Sequence, residues 1–224
     1  MCRGDSKFCT KLGTDPEKWS RKCPLPPPVY FEESLNYFIE SYKLALRDQK
    51  DEAIAVLQKT RSDELREWYV EHGSYSGHKH RVNLLKKPLP EKYTGQRETK
   101  ENFNPAEQRE IYQRDNYTCR YCEIKVIDER VLKKMEKIIG SEHFKAAGDT
   151  NALRHGVVFS FKATVDHVNP VSNGGETTQD NGVTSCWNCN LGKYDALLYQ
   201  MEIDDPRCRP VINKNLWDGL TSTL

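Results

Sequence analysis

Two cysteine pairs, Cys119-Arg-Tyr-Cys122 and Cys186-Trp-Asn-Cys189, constrain this chain more than any other feature of it. Two residues between cysteines let both thiolates of one turn reach a single ion. Two such turns complete a tetrahedral four-sulfur shell, which suits zinc. Four protein sulfurs leave no place for water, so the expected Zn2+ is structural. It would pin the segments on either side of the stretch between the pairs. A redox pair or an iron–sulfur centre are the alternatives for such thiols.

The rest of the composition sets looser bounds. The chain has 224 residues, enough for one packed domain and a smaller second one without disulfides. Charged residues make up 30% and the hydrophobic class 37%, a polar composition with a lean apolar core. Net charge is +1, so any nucleic-acid partner has to be met by local positive charge. No apolar run approaches the ~20 residues of a membrane span, and the charged start of the chain is unlike a secretory signal. The expected location is intracellular, cytoplasmic or with the nucleic acid of the cell, with no membrane partner.

Patterning divides the chain into four regions. Residues 1–78 read as a cysteine-containing segment ending at Pro24-Leu-Pro-Pro-Pro28, then helices. Leu35, Phe38, Ile39 and Tyr42, and then Ala53, Val56 and Leu57, recur at helical spacing. Ser62 would cap a third helix carrying Leu65, Trp68 and Tyr69, with Gly73 as its stop. Residues 79–103 lose periodicity. Between Lys79 and Lys100 there are seven Lys or Arg against two Glu, a basic linker or phosphate-contacting arm. Residues 104–201 form the main module. Its entry, Asn104-Pro-Ala-Glu107, has the cap, the first-turn proline and the acid of a capping box, with a helix to about Arg114. Residues 202–224 read as a tail. Cys2, Cys9 and Cys23 with His78 and His80 supply donors for a second zinc site, or are free thiols and solvated imidazoles. Cys208 reads as a lone thiol.

Between the cysteine pairs, Val131, Leu132, Met135, Ile138 and Ile139 predict a helix closed by Gly140. The stretch from Val157 to His167 is β-branched and aromatic and predicts a strand. Gly182–Cys186 predicts a second strand, and Asn190 to Met201 a helix. The order is strand, loop, strand, knuckle, helix.

Taken together, Cys-x-x-Cys, then Asp166-His167, then Asn181, then Cys-x-x-Cys-Asn190-x-x-Lys193 resembles the HNH endonuclease family over about Asn104 to Met201. Periodicity gives a helical N-terminal region, and the resemblance implies that a ββα-metal (HNH) module stapled by the four-cysteine zinc site follows it, an α+β chain. It implies a metal-dependent endonuclease hydrolysing DNA, with RNA left open, to give a 5′ phosphate and a 3′ hydroxyl. His167 would be the general base, and Asp166 and Asn190 would hold a Mg2+ or Mn2+ ion. Asn181 would brace the loop that holds the histidine, and Lys193 would contact the phosphate. The chemistry is consistent, since an imidazole with a pKa near ~6.5 activates water at neutral pH. Hard oxygen donors favour such an ion over zinc. Adjacent strand residues point to opposite faces, so the strand must end or bulge at Asp166-His167, and Asn169-Pro170 supplies a cause. A homodimer would suit cutting of both strands. The competing reading is a non-catalytic, zinc-stabilised nucleic-acid-binding module.

Overall fold

The structure, a computed structural model, describes residues 27–72, 93–95, 100–148, 153–201, 203–212 and 217–224. Cys2, Cys9, Cys23, Gly73, His78, His80 and most of the basic stretch 79–103 lie outside the described residues. Among those described, the helices are α1 (Tyr30–Leu46), α2 (Lys50–Leu57), α3 (Ser62–His72), α4 (Pro105–Arg114), α5 (Glu129–Ile139), α6 (Gly156–Phe161), α7 (Trp187–Lys193) and α8 (Leu198–Met201). The strands β1 (Ala163–His167) and β2 (Gly182–Cys186) form one antiparallel pair, Ala163 opposite Cys186 and His167 opposite Gly182. The chain is α+β. No helix among the described residues is long and apolar enough to cross a membrane.

The first three helices form for the reason their spacing predicts. Phe31, Leu35, Phe38, Tyr42 and Ala45 fall on one face of α1 and are buried, as are Ala53 and Leu57 of α2. Each large side chain so removed from water contributes about 1.5–3 kcal/mol. These faces do not pack only on one another. Phe31 meets Phe161 edge to face at 5.7 Å, Phe38 meets Phe144 at 5.5 Å, and Tyr69 stacks on Phe159 at 4.4 Å. One continuous core therefore runs from α1 through the cysteine knuckles to Leu220.

Three local expectations are met closely. Asn104 accepts from the amides of Ala106 and Glu107 while Glu107 accepts from the Asn104 amide, which completes the capping box. The inserted helix α5 buries Val131, Leu132, Met135 and Ile139 and ends at Gly140, whose φ is +94°. Strand β1 ends at His167, where a break was needed.

Other expectations are corrected. Residues 156–161 are a helix, not the first half of a strand. All six are buried, so the run has no polar face and no period to separate helix from strand. His155 starts it, its Nδ1 accepting from the Val157 amide at 3.3 Å. Ser62 does not cap α3. It is the first residue of that helix, and its hydroxyl accepts from the Gly156 amide at 2.8 Å. A Cβ at Gly156 would stand 2.0 Å from the Ser62 carbonyl oxygen, so only glycine lets α3 and α6 approach this closely. The helix expected from Asn190 to Met201 starts earlier, at Trp187, and breaks at Tyr194, where φ is +53°.

The C-terminal residues are stitched into the core. The Arg120 guanidinium donates to the carbonyls of Pro206, Arg209 and Pro210. Trp217 donates to the Val126 carbonyl at 2.8 Å, and the Thr223 hydroxyl bonds the Tyr42 hydroxyl at 3.2 Å.

His155 yields a pH test. Burial, with the Arg66 charge beside it, pushes its pKa down to about 3. Between ~6.5 and that value the unfolded chain binds a proton that the folded chain refuses, so stability falls as pH falls, by about 1.4 kcal/mol per pH unit. His155→Asn keeps a capping acceptor without the titration. Urea unfolding from pH 7 to pH 5 should show a shallower loss in the variant, and equal losses would refute this assignment.

Candidate active site and cysteine knuckles

The first knuckle is set by the turn after α4. Asp115 ends that helix, and its carboxylate accepts from the Thr184 amide of β2 at 2.7 Å. Asn116 and Tyr117 then take left-handed conformations, with φ of +51° and +45°, and reverse the chain into Cys119. The Cys119 amide donates to the Ile124 carbonyl, and the Arg120 amide to the Thr184 carbonyl at 2.8 Å. That last bond ties the first knuckle to the strand leading to the second.

In the second knuckle Cys186 ends β2 and also caps α7, its sulfur accepting from the Cys189 amide at 3.4 Å. The sulfurs of Cys119, Cys122, Cys186 and Cys189 all lie within 4.8 Å of one another, positioned to bind one metal ion. The Cys122 and Cys186 sulfurs are 3.8 Å apart. A zinc–sulfur bond of about 2.3 Å gives a tetrahedron with edges of about 3.8 Å. The donor set is compatible with structural zinc. Burial pushes the Cys186 thiol up, and a bound cation would favour its thiolate.

Directly after Cys189, α7 presents Asn190. Its amide donates to the Thr164 hydroxyl at 3.1 Å and to the Val165 carbonyl at 3.0 Å, both on β1. The nitrogen is thereby committed to the strand, and among the described residues the Asn190 side-chain oxygen is left for another partner. Asn190, Asp166 and His167 line one cavity of about 370 Å³, with Glu101, Asp195 and Tyr194 on its walls. Among the described residues, no Lys or Arg lines it.

Asp166 and His167 diverge in their contacts. Asp166 is 4% exposed. Its Oδ2 accepts from the Tyr121 hydroxyl at 2.5 Å and faces the Lys193 ammonium at 3.1 Å. Burial raises the carboxyl pKa, and Lys193 and Tyr121 oppose that rise. His167 stacks on Phe103 with ring centroids 4.7 Å apart, and its Nε2 bonds the Thr177 hydroxyl at 3.0 Å. Burial first, then the Lys193 charge, lowers the pKa of this imidazole, which keeps it neutral at pH 7.

Asn181 closes the loop between the strands. Its side-chain oxygen accepts from the Asn169 amide at 2.8 Å, and its nitrogen donates to the carbonyls of Asn169 and Glu176. A Cβ at Gly175 would stand 1.8 Å from the Asn169 carbonyl oxygen, so the fold-back against Asn181 needs glycine there. Lys193 departs from expectation. It is fully buried, bonded to the His167 carbonyl at 2.7 Å and paired with Asp166. An ammonium in that core needs the carboxylate as its partner.

Four residues of this arrangement carry no sequence signal: Phe103 and Thr177 on His167, Thr164 on Asn190, and the Tyr121 hydroxyl on Asp166. Each contact spans elements distant in the chain or a loop without periodicity. Trp187 lies in the second knuckle, with Arg154 and Lys162 each 4.9 Å from its ring centroid.

Structural zinc in a protein of this size is worth about as much as a whole domain's net stability. Cys186→Ser should lose the bound zinc and the cooperative melting transition together, read by metal analysis and thermal unfolding. An unchanged transition in a zinc-free variant would remove the metal's structural duty.

Comparison with curated proteins and with solved structures gives no match. Comparison with family models matches residues 156–196 to the HNH endonuclease family. The matched segment contains Asp166, His167, Asn181, the second cysteine pair, Asn190 and Lys193. From α6 to just beyond α7, this chain is therefore similar to the HNH endonuclease family.

Proposed function

We propose that the protein is a metal-dependent endonuclease hydrolysing phosphodiester bonds of DNA, with the reaction in the cavity lined by Asp166, His167 and Asn190. The observation that carries the reading is that those three residues line one cavity within a segment similar to a nuclease family. The walls also support it. Glu101, Asp166 and Asp195 are acidic, so a bound cation would offset their repulsion of an anionic phosphodiester.

The oxygen donors fit a hard divalent ion. Asp166 and the open carbonyl oxygen of Asn190 would hold Mg2+ or Mn2+. Such an ion neutralises phosphate charge and stabilises the leaving oxygen. The remaining work belongs to the chain. With Nε2–H of His167 donating to the Thr177 hydroxyl, Nδ1 would be the nitrogen that takes the proton of the attacking water. Phe103 against one face of the ring fixes its plane. Asn181 holds the 169–176 loop that carries the ring's surroundings. Asn190 is kept in place by β1, and Lys193 anchors Asp166 and the end of that strand together.

Plasmid nicking should require Mg2+ or Mn2+ and stop in EDTA. His167→Ala should lower the rate at least about 100-fold, the usual contribution of a general base. Salt-dependent DNA binding with no nicking under any metal would favour the binding-only module instead.

A further inference from the structure

Tyr121 lies inside the first knuckle, between Cys119 and Cys122, and is 2% exposed. Its ring is fixed by the turn that both cysteines define. The back of that turn is also held, because the neighbouring Arg120 donates to the three carbonyls of Pro206, Arg209 and Pro210. From this rigid base the Tyr121 hydroxyl reaches Oδ2 of Asp166 at 2.5 Å.

The two oxygens of Asp166 are not equivalent. Oδ2 takes the Tyr121 hydroxyl and the nearer approach of Lys193, 3.1 Å, whereas Oδ1 has only Lys193 at 3.4 Å. Lys193 touches both oxygens at similar distances and does not choose between them. Tyr121 does. A phenol is protonated at neutral pH and donates one directional hydrogen bond.

We propose that Tyr121 is a positioning residue for the catalytic ion: by holding Oδ2 of Asp166 it presents Oδ1 to the cavity, and so links the four-cysteine site to the hard-oxygen site. This rests on the reading of Asp166 as a ligand. Partners that orient a metal ligand from behind change metal affinity by about 10- to 100-fold when lost.

The test is Mn2+ binding to the zinc-loaded full chain, followed by electron paramagnetic resonance, for the wild type, Tyr121→Phe and Asp166→Asn. Tyr121→Phe should weaken Mn2+ binding about 10-fold or more, with zinc content and melting temperature unchanged. Nicking by that variant should recover as Mn2+ is raised to saturation. Placing 4-aminophenylalanine at 121, which restores a donor on the same ring, should restore the affinity. Equal Mn2+ affinity in Tyr121→Phe and wild type would overturn the proposal. Loss of zinc or of cooperative melting in Tyr121→Phe would also overturn it, because Tyr121 would then be a packing residue of the knuckle. Failure of the wild type to bind Mn2+, or undiminished binding by Asp166→Asn, would instead overturn the assignment of Asp166 and the inference with it.

Discussion

Cys186 belongs to three structures at once. It is the last residue of β2, the N-cap of α7 and one of four clustered sulfurs. Once the cluster fixes that residue, helix geometry fixes the next two turns. Asn190 comes one turn later, and Lys193 three residues beyond it on the same side of α7. Asn190 bonds β1, and Lys193 bonds both Asp166 and the His167 carbonyl. The strand that carries the proposed catalytic pair is therefore positioned by the helix that the cysteines start. A two-stranded sheet is too small to hold such a geometry on its own. With an ion bound, the four sulfurs would supply the rigidity that a larger sheet would otherwise give.

The electrostatics obey a second constraint. A carboxylate at 4% exposure is costly unless compensated, and Lys193 and Tyr121 compensate it. The same ammonium helps to keep His167 neutral, the state a general base needs. One buried cation thus serves two proposed catalytic groups. A phosphate contact from Lys193 would draw it away from both.

The features legible in the sequence were local. The cysteine spacing, the Asn104–Glu107 capping box and the glycine stop at Gly140 each rest on residues within a few positions of one another, and all are in place. The Asp166-His167 pair and the two asparagines could be read because a pattern of fixed order holds them. The failures were of two kinds. The run 157–161 is buried on every side, so its apolar character has no period, and tertiary packing against α3 decided for helix. The other missed contacts join distant parts of the chain. Phe103 on His167, Tyr121 on Asp166 and Arg120 on residues 206–210 depend on how the knuckles fold back on the strands. No spacing rule encodes that.

The proposed chemistry divides between two metal sites, four sulfurs that would hold the shape and a hard-oxygen site that would cut. Anomalous diffraction from crystals of the zinc-loaded protein soaked in Mn2+ tests that division most directly. A zinc-edge peak is predicted among Cys119, Cys122, Cys186 and Cys189, with a separate manganese-edge peak between Oδ1 of Asp166 and the side-chain oxygen of Asn190. A manganese peak elsewhere, or no ordered manganese beside Asp166 and Asn190, would contradict it.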